Sequence, residues 1–221
     1  AHRIGLERRP SPIRRTAVKP DRKKARSPVI PKLNSEVTKE EVIAISKDYQ
    51  FEMKNYDFTA AGSDLVFEDY KVDEKINHID GITVEEAEHM MATKLYQNNA
   101  KVHFNHFVEK GGRFGKRIVY GGHVISLTRS ISFNGLSNAF KIIAINGGTH
   151  ASPCFAGKTV FAWSKIIEKV DVSDTLGALR IRTNGLGDAQ PYQFQHQDQN
   201  GKFNSDVLLS LDYWALVPKK I

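Results

Sequence analysis

Residues 122–134 carry Val124, Ile125, Leu127 and Ile131 at spacings that put apolar side chains on most sides of a helix. A helix that is apolar nearly all round has to be buried, so whatever follows must enclose it. The period then changes from helix to strand. An apolar run covers 139–145, a long alternation covers 159–172, and a second covers 176–184, where Leu179 and Ile181 alternate with Arg180 and Arg182. A last apolar segment spans 207–217. One buried helix followed by four strand candidates is satisfied by an α+β architecture, an antiparallel sheet wrapped around a central helix.

The residues before that helix extend the pattern. Residues 66–84 read as an irregular strand region with Ile76, Ile79 and Ile82 and a turn at Asp80-Gly81. Thr83 with Glu86 three positions later has the form of a reciprocal capping box. It is followed by Ala87, Met90, Met91 and Leu95 at helical spacing, which predicts a helix ending near 96–98. Asn134-Gly135 predicts a stop for the buried helix, and 185–204 reads as a polar excursion between strands. The domain is therefore expected over 65–221. Residues 34–64 are expected to be an extended arm with a short helix near 39–47.

The chain has 221 residues and a net charge of +7, but the basic excess is local. Residues 1–33 hold eleven Lys or Arg against Glu7 and Asp21, five of the eight prolines, and no aromatic residue. That composition cannot bury enough apolar surface to offset the entropy of ordering, so the segment is expected to be a disordered tail or linker. Aromatic residues do not interleave its charges as a base-stacking surface requires, so a nucleic-acid partner is not expected. The single cysteine, Cys154, excludes an internal disulfide framework and suits a reducing, cytoplasmic location. No apolar run approaches the ~20 residues of a membrane span. No leader pattern is present, and no His-x-x-x-His or Cys-x-x-Cys spacing points to a metal.

The chemistry-bearing feature is Asn98, five positions before His103, with Gly121-Gly122 opening the apolar helix eighteen positions further on. An amide orients water and does not titrate; an imidazole exchanges a proton near neutral pH. A glycine N–H at a helix start holds developing negative charge. The competing reading is a loop whose Asn98 and His103 merely cap the preceding helix. His78, His89, His106 and His150 read as surface or hydrogen-bonded structural groups, His196 as solvated, and His123 as a residue that lines the site. Cys154, beside Pro153 and Phe155, reads as a small buried apolar group.

From Phe67 to Lys219 the chain resembles the MaoC-like, hotdog-fold enoyl-CoA hydratases, and among them the mesaconyl-CoA (β-methylmalyl-CoA) branch. The resemblance rests on Ile82-Thr83-Val84-Glu85-Glu86-Ala87-Glu88-His89, on 95–104, and on Gly112-Arg113-Phe114-Gly115-Lys116-Arg117-Ile118-Val119-Tyr120-Gly121-Gly122-His123. It continues through Ser132-Phe133-Asn134-Gly135-Leu136, Ala144-Ile145-Asn146-Gly147-Gly148 and Leu211-Asp212-Tyr213-Trp214, and covers about 150 of the 221 residues. Where the wider family has Asp-x-Asn-Pro-hydrophobic-His, this chain has Asn98, Ala100, Lys101, Val102 and His103; in the mesaconyl branch asparagine is the usual form.

The resemblance implies reversible hydration of a branched enoyl-CoA, mesaconyl-CoA to β-methylmalyl-CoA, with no cofactor beyond the coenzyme A thioester that is the substrate. It implies that His103 moves the proton, Asn98 orients water and the Gly121 N–H holds the thioester oxygen, with Gly122 and His123 lining the substrate site. The free carboxylate of mesaconyl-CoA calls for a cation, and Arg113, Lys116 and Arg117 are the candidates, with exposure to solvent or contact with the nucleotide phosphates of coenzyme A as the equal alternative. Relatives of the branch carry two hotdog halves and this chain matches the second, which implies a homodimer or pairing with a second hotdog domain. A hydratase for unbranched enoyl-CoA and a catalytically silent acyl-CoA-binding or scaffold subunit remain as alternatives.

Overall fold

The structure is a computed structural model that describes residues 36–49, 51, 53–192 and 194–220; the tail expected over 1–33 lies outside them. Its centre is one antiparallel sheet of β1 (Lys75–Thr83), β2 (Lys141–His150), β3 (Thr159–Asp171), β4 (Leu176–Gly187) and β5 (Val207–Pro218), ordered β1-β3-β4-β5-β2. The four strand segments expected after the helix are all present. The expected turn at Asp80-Gly81 is a bulge inside β1, where the register against β3 shifts between His78 and Ile82. Gly81 fits there because a side chain at this position would come within 2.6 Å of the Phe161 ring.

Among the described residues seven α-helices accompany the sheet: α1 (Lys39–Ser46), α2 (Phe58–Ala61), α3 (Glu86–Leu95), α4 (Lys101–Phe104), α5 (His106–Glu109), α6 (Gly121–Ile131) and α7 (Phe133–Leu136). The central helix is α6. Its Val124, Leu127 and Ile131 join Leu179, Ile181, Ala162 and Tyr213 in the main apolar core. Gly185 on β4 lets α6 approach, since a side chain there would meet Thr128 Oγ1 at 2.5 Å. The expectation of burial on nearly every side fails: Ser126 and Ser130 are exposed. A single sheet covers a single face of the helix. The expected stop at Asn134-Gly135 is a kink: α6 ends at Ile131, and Asn134 and Gly135, the latter at φ +99°, leave helical geometry inside α7.

Thr83 does not cap α3. Its hydroxyl pairs with that of Thr159 across the sheet, and the N-cap is Glu85, whose N–H donates to the Glu88 carboxylate. In the arm expected over 34–64, the short helix expected near 39–47 is α1, and α2 is an addition to the expectation. Thr38 and Glu41 form a reciprocal capping box on α1. Val42 is then buried against Ala178, Trp214 and Leu216 on the sheet face away from α6. On that same face Arg180 donates to Asp212 at 2.9 Å and to Glu168 at 2.7 Å, and Asp212 also accepts from Asn146 and Arg182.

A buried polar chain crosses the other face. The hydroxyls of Tyr213, Thr183 and Ser164 follow one another at 3.1 and 2.8 Å, and Ser164 meets His78 Nε2 at 2.8 Å. His78 Nδ1 donates to the Asn134 carbonyl, which ties the kink after α6 to four strands. Burial pushes the His78 imidazole down to about 4. The unfolded chain takes up this proton near the usual histidine value, so the contribution is present at neutral pH and is lost as pH falls from there through about 4. A group shifted this far contributes ~3 kcal/mol. Replacing His78 with glutamine is expected to flatten the loss of stability between those pH values, read from urea midpoints across the range.

Candidate active site

α3 ends at Leu95, and Gln97 at φ +52° turns the chain out of the helix. Asn98 then accepts the Ala100 N–H on Oδ1 at 2.9 Å, an Asx turn that launches α4 and places His103 within it. The Ile118 N–H donates to the Val102 carbonyl at 3.1 Å, so the incoming segment is clamped beside α4. His103 Nδ1 stands 3.0 Å from the Ile118 carbonyl oxygen. A carbonyl only accepts, so Nδ1 carries the hydrogen and Nε2 keeps its lone pair. The ring also lies edge-on to Tyr120, centroids 5.8 Å apart.

Tyr120 is the N-cap of α6 and makes no side-chain cap bond; its carbonyl accepts from the His123 and Val124 N–H groups, which leaves the Gly121 and Gly122 N–H groups without an intrahelical partner. A cavity of about 420 Å³ opens there, lined by His103, Tyr120, Gly121, Gly122, His150 and Cys154 among others. Both glycines let neighbouring rings pack against the backbone. A side chain on Gly121 would meet His150 Nε2 at 2.7 Å, and one on Gly122 would meet the Tyr120 ring at 2.7 Å. Burial pushes the Cys154 thiol up to about 11, so it is an inert wall of the cavity at neutral pH.

The structure thus brings His103, Gly121 and Gly122 together. It places Asn98 on a separate cavity of about 520 Å³ with Met90, Thr93, Lys94, Gln97 and Phe104. Arg113 lies over the Phe114 ring and Lys116 over the Phe155 ring, at 5.0 and 4.4 Å. Arg117 is held by Glu86 on α3. None of these three cations lines the His103 cavity. His123 does not line it either: it is buried on α6, 3.3 Å from Glu88, where burial lowers its pKa and Glu88 partly opposes the shift. His123 and Arg117 instead fix α3 against the segment that leads into α6. The histidine read as solvated, His196, packs edge-on against Trp163 at 5.0 Å.

His150 is the cavity residue that the sequence did not reveal. It ends β2, remote in sequence from His103, and no spacing links the two; the absence of a side chain at Gly121 is the one trace of its approach. Among the described residues no group of three or more His, Cys, Asp or Glu gathers to hold a metal. None of their helices is long and apolar enough to cross a membrane.

A five-stranded antiparallel sheet against one central helix is a hotdog fold, here with a histidine and a glycine pair lining the cavity at that helix's N-terminus. The chain is 49% identical over 194 residues to β-methylmalyl-CoA dehydratase of Chloroflexus aurantiacus, covering 87% of this chain and 54% of that protein. It is 48% identical over 197 residues to mesaconyl-CoA hydratase of Cereibacter sphaeroides, covering 88% of this chain and 55% of that one. The crystal structure of a MaoC-domain dehydratase protein from C. aurantiacus J-10-fl superposes with a TM-score of 0.81 at 48% identity, covering 90% of this chain and 57% of that chain. The chain therefore spans about half the length of the curated relatives it matches. No protein-family model matches it.

Proposed function

We propose that this chain carries the catalytic half of a hydratase that interconverts mesaconyl-CoA and β-methylmalyl-CoA. The observation that carries the reading is His103: its Nδ1 is committed to the Ile118 carbonyl and its free Nε2 belongs to a cavity shared with the N-terminus of α6. The relatives supply the substrate class.

In the hydration direction His103 Nε2 takes one proton from a water molecule as the water oxygen bonds to the β-carbon. The carbon–carbon π pair moves toward the thioester carbonyl and gives an enolate oxygen, which accepts the Gly121 N–H at the positive end of α6. The enolate collapses, and the α-carbon takes the proton back from the His103 imidazolium. Water is consumed, its hydroxyl ends on the β-carbon and its proton on the α-carbon, and no cofactor enters. Asn98 lines the neighbouring cavity, and its part is to hold, through the Ala100 N–H on Oδ1, the turn that carries His103. Replacing Asn98 with alanine is therefore expected to slow turnover by about tenfold, less than loss of the general base, as read from kcat.

The absence of Arg113, Lys116 and Arg117 from the cavity favours testing the unbranched substrate as a second reading. The discriminating experiment compares kcat/KM for mesaconyl-CoA with that for crotonyl-CoA in the intact protein. A preference of at least about 100-fold for mesaconyl-CoA, the scale expected when a charged group is recognised, supports the proposal. Equal values would favour a general enoyl-CoA hydratase, and no turnover of either would leave an acyl-CoA-binding role. A second hotdog domain, of this chain or another, is the partner we propose. It would cover the open face of α6 and the exposed Ile145 on edge strand β2, and a monomer in sedimentation would contradict it.

A further inference from the structure

We propose that His150 is a second hydrogen-bond donor to the thioester oxygen, acting beside the Gly121 N–H. The inference rests on the hydration reading and assigns a group that reading leaves unused.

The Nε2 end of the His150 ring is packed against the Gly121 backbone, so close that a methyl group on Gly121 would stand 2.7 Å from it. His150 and His103 line the same cavity, on either side of the α6 N-terminus. No hydrogen bond or ion pair to the His150 ring is formed by any described residue. Two imidazoles face one cavity with different ties: His103 has its tautomer fixed by a carbonyl and a lone pair at Nε2, whereas His150 is uncommitted.

The reaction needs the electron pair to settle on the thioester oxygen, and a forming enolate oxygen has room for more than one donor. Asn98 lies on another cavity and the three nearby cations point elsewhere, so the chain offers His150 for this place. Partial desolvation lowers the His150 pKa, which favours the neutral ring with one N–H to donate. A neutral donor polarises the carbonyl without giving its proton away, and the task of proton exchange stays with His103.

The test uses His150→Leu, which removes the donor, and His150→Gln, whose amide NH₂ reaches about the position of Nε2. The expected result in the intact protein with mesaconyl-CoA is a fall in kcat of about 100-fold for His150→Leu, a KM changed by less than about threefold, and recovery of most of the rate in His150→Gln. Unchanged kcat in His150→Leu, or a glutamine variant as slow as the leucine one, would overturn the proposal.

Binding gives a second readout independent of turnover. A saturated CoA thioester is expected to bind His150→Leu more weakly than wild type, while the matching CoA thioether, which lacks the carbonyl oxygen, binds both equally. An equal loss for thioester and thioether would show a packing role and overturn the assignment. Failure of the wild-type protein to hydrate any enoyl thioester would sink the hydration reading, whereas failure of the oxygen-dependent difference sinks only the role of His150.

Discussion

Replacing His103 with alanine is expected to lower kcat by at least about 100-fold and to leave the protein folded. The imidazole is the base that receives the proton from water, and nothing else in its cavity matches it: Asn98 cannot titrate and sits elsewhere, and partial desolvation lowers the His150 pKa and makes it a weaker base than an ordinary histidine. The structural cost is small. His103 lies on a four-residue helical turn and is half-buried, and the substitution removes one hydrogen bond to Ile118, a loss of about 1 kcal/mol. The pair of measurements that checks this is kcat beside the thermal midpoint. A variant that keeps more than about a tenth of the rate would remove His103 from proton transfer.

Replacing Arg180 with alanine is expected to be the most damaging single change to the fold, costing about 3–5 kcal/mol in urea unfolding. The guanidinium is 6% exposed and is shared by Asp212, Glu168 and Glu36. Its removal strands Asp212 in the sheet. Burial alone would raise the Asp212 carboxyl, but the hydrogen bonds from Arg180, Asn146 and Arg182 outweigh it and hold the group below the ordinary carboxylate range. A depressed carboxyl stabilises the fold above its unfolded value and loses that contribution as pH falls through the folded one, so the variant should also show a flatter acid limb. Arg182 is the control. Its side chain is 45% exposed on the same carboxylate, and Arg182→Ala should cost less than about 1 kcal/mol.

The strands were legible because alternation has one reading when a face is buried: Leu179 and Ile181 lie in the core while Arg180 and Arg182 meet Asp212 on the far side. The central helix was legible in place but not in exposure, since its apolar residues were counted without knowing that only one sheet face would meet them. Thr83 was misread because a threonine three residues before a glutamate has the form of a cap; the Thr159 hydroxyl across the sheet took it instead. In the site, His103 and Gly121 could be named from spacing and resemblance, while the tautomer of His103 depends on a carbonyl fifteen residues on. The three cations were chosen for nearness in sequence to Gly121, and packing on Phe114, Phe155 and Glu86 sends them elsewhere. His150 comes from the end of a strand and had no local signal at all.

The most direct test of proton transfer through His103 is the absorbance of the conjugated thioester when mesaconyl-CoA is added to wild-type and His103→Ala protein side by side. The proposal requires the absorbance to fall to an equilibrium value with wild type and to stay essentially constant with the variant over the same time. Equal decay in both, or none in wild type, would contradict it.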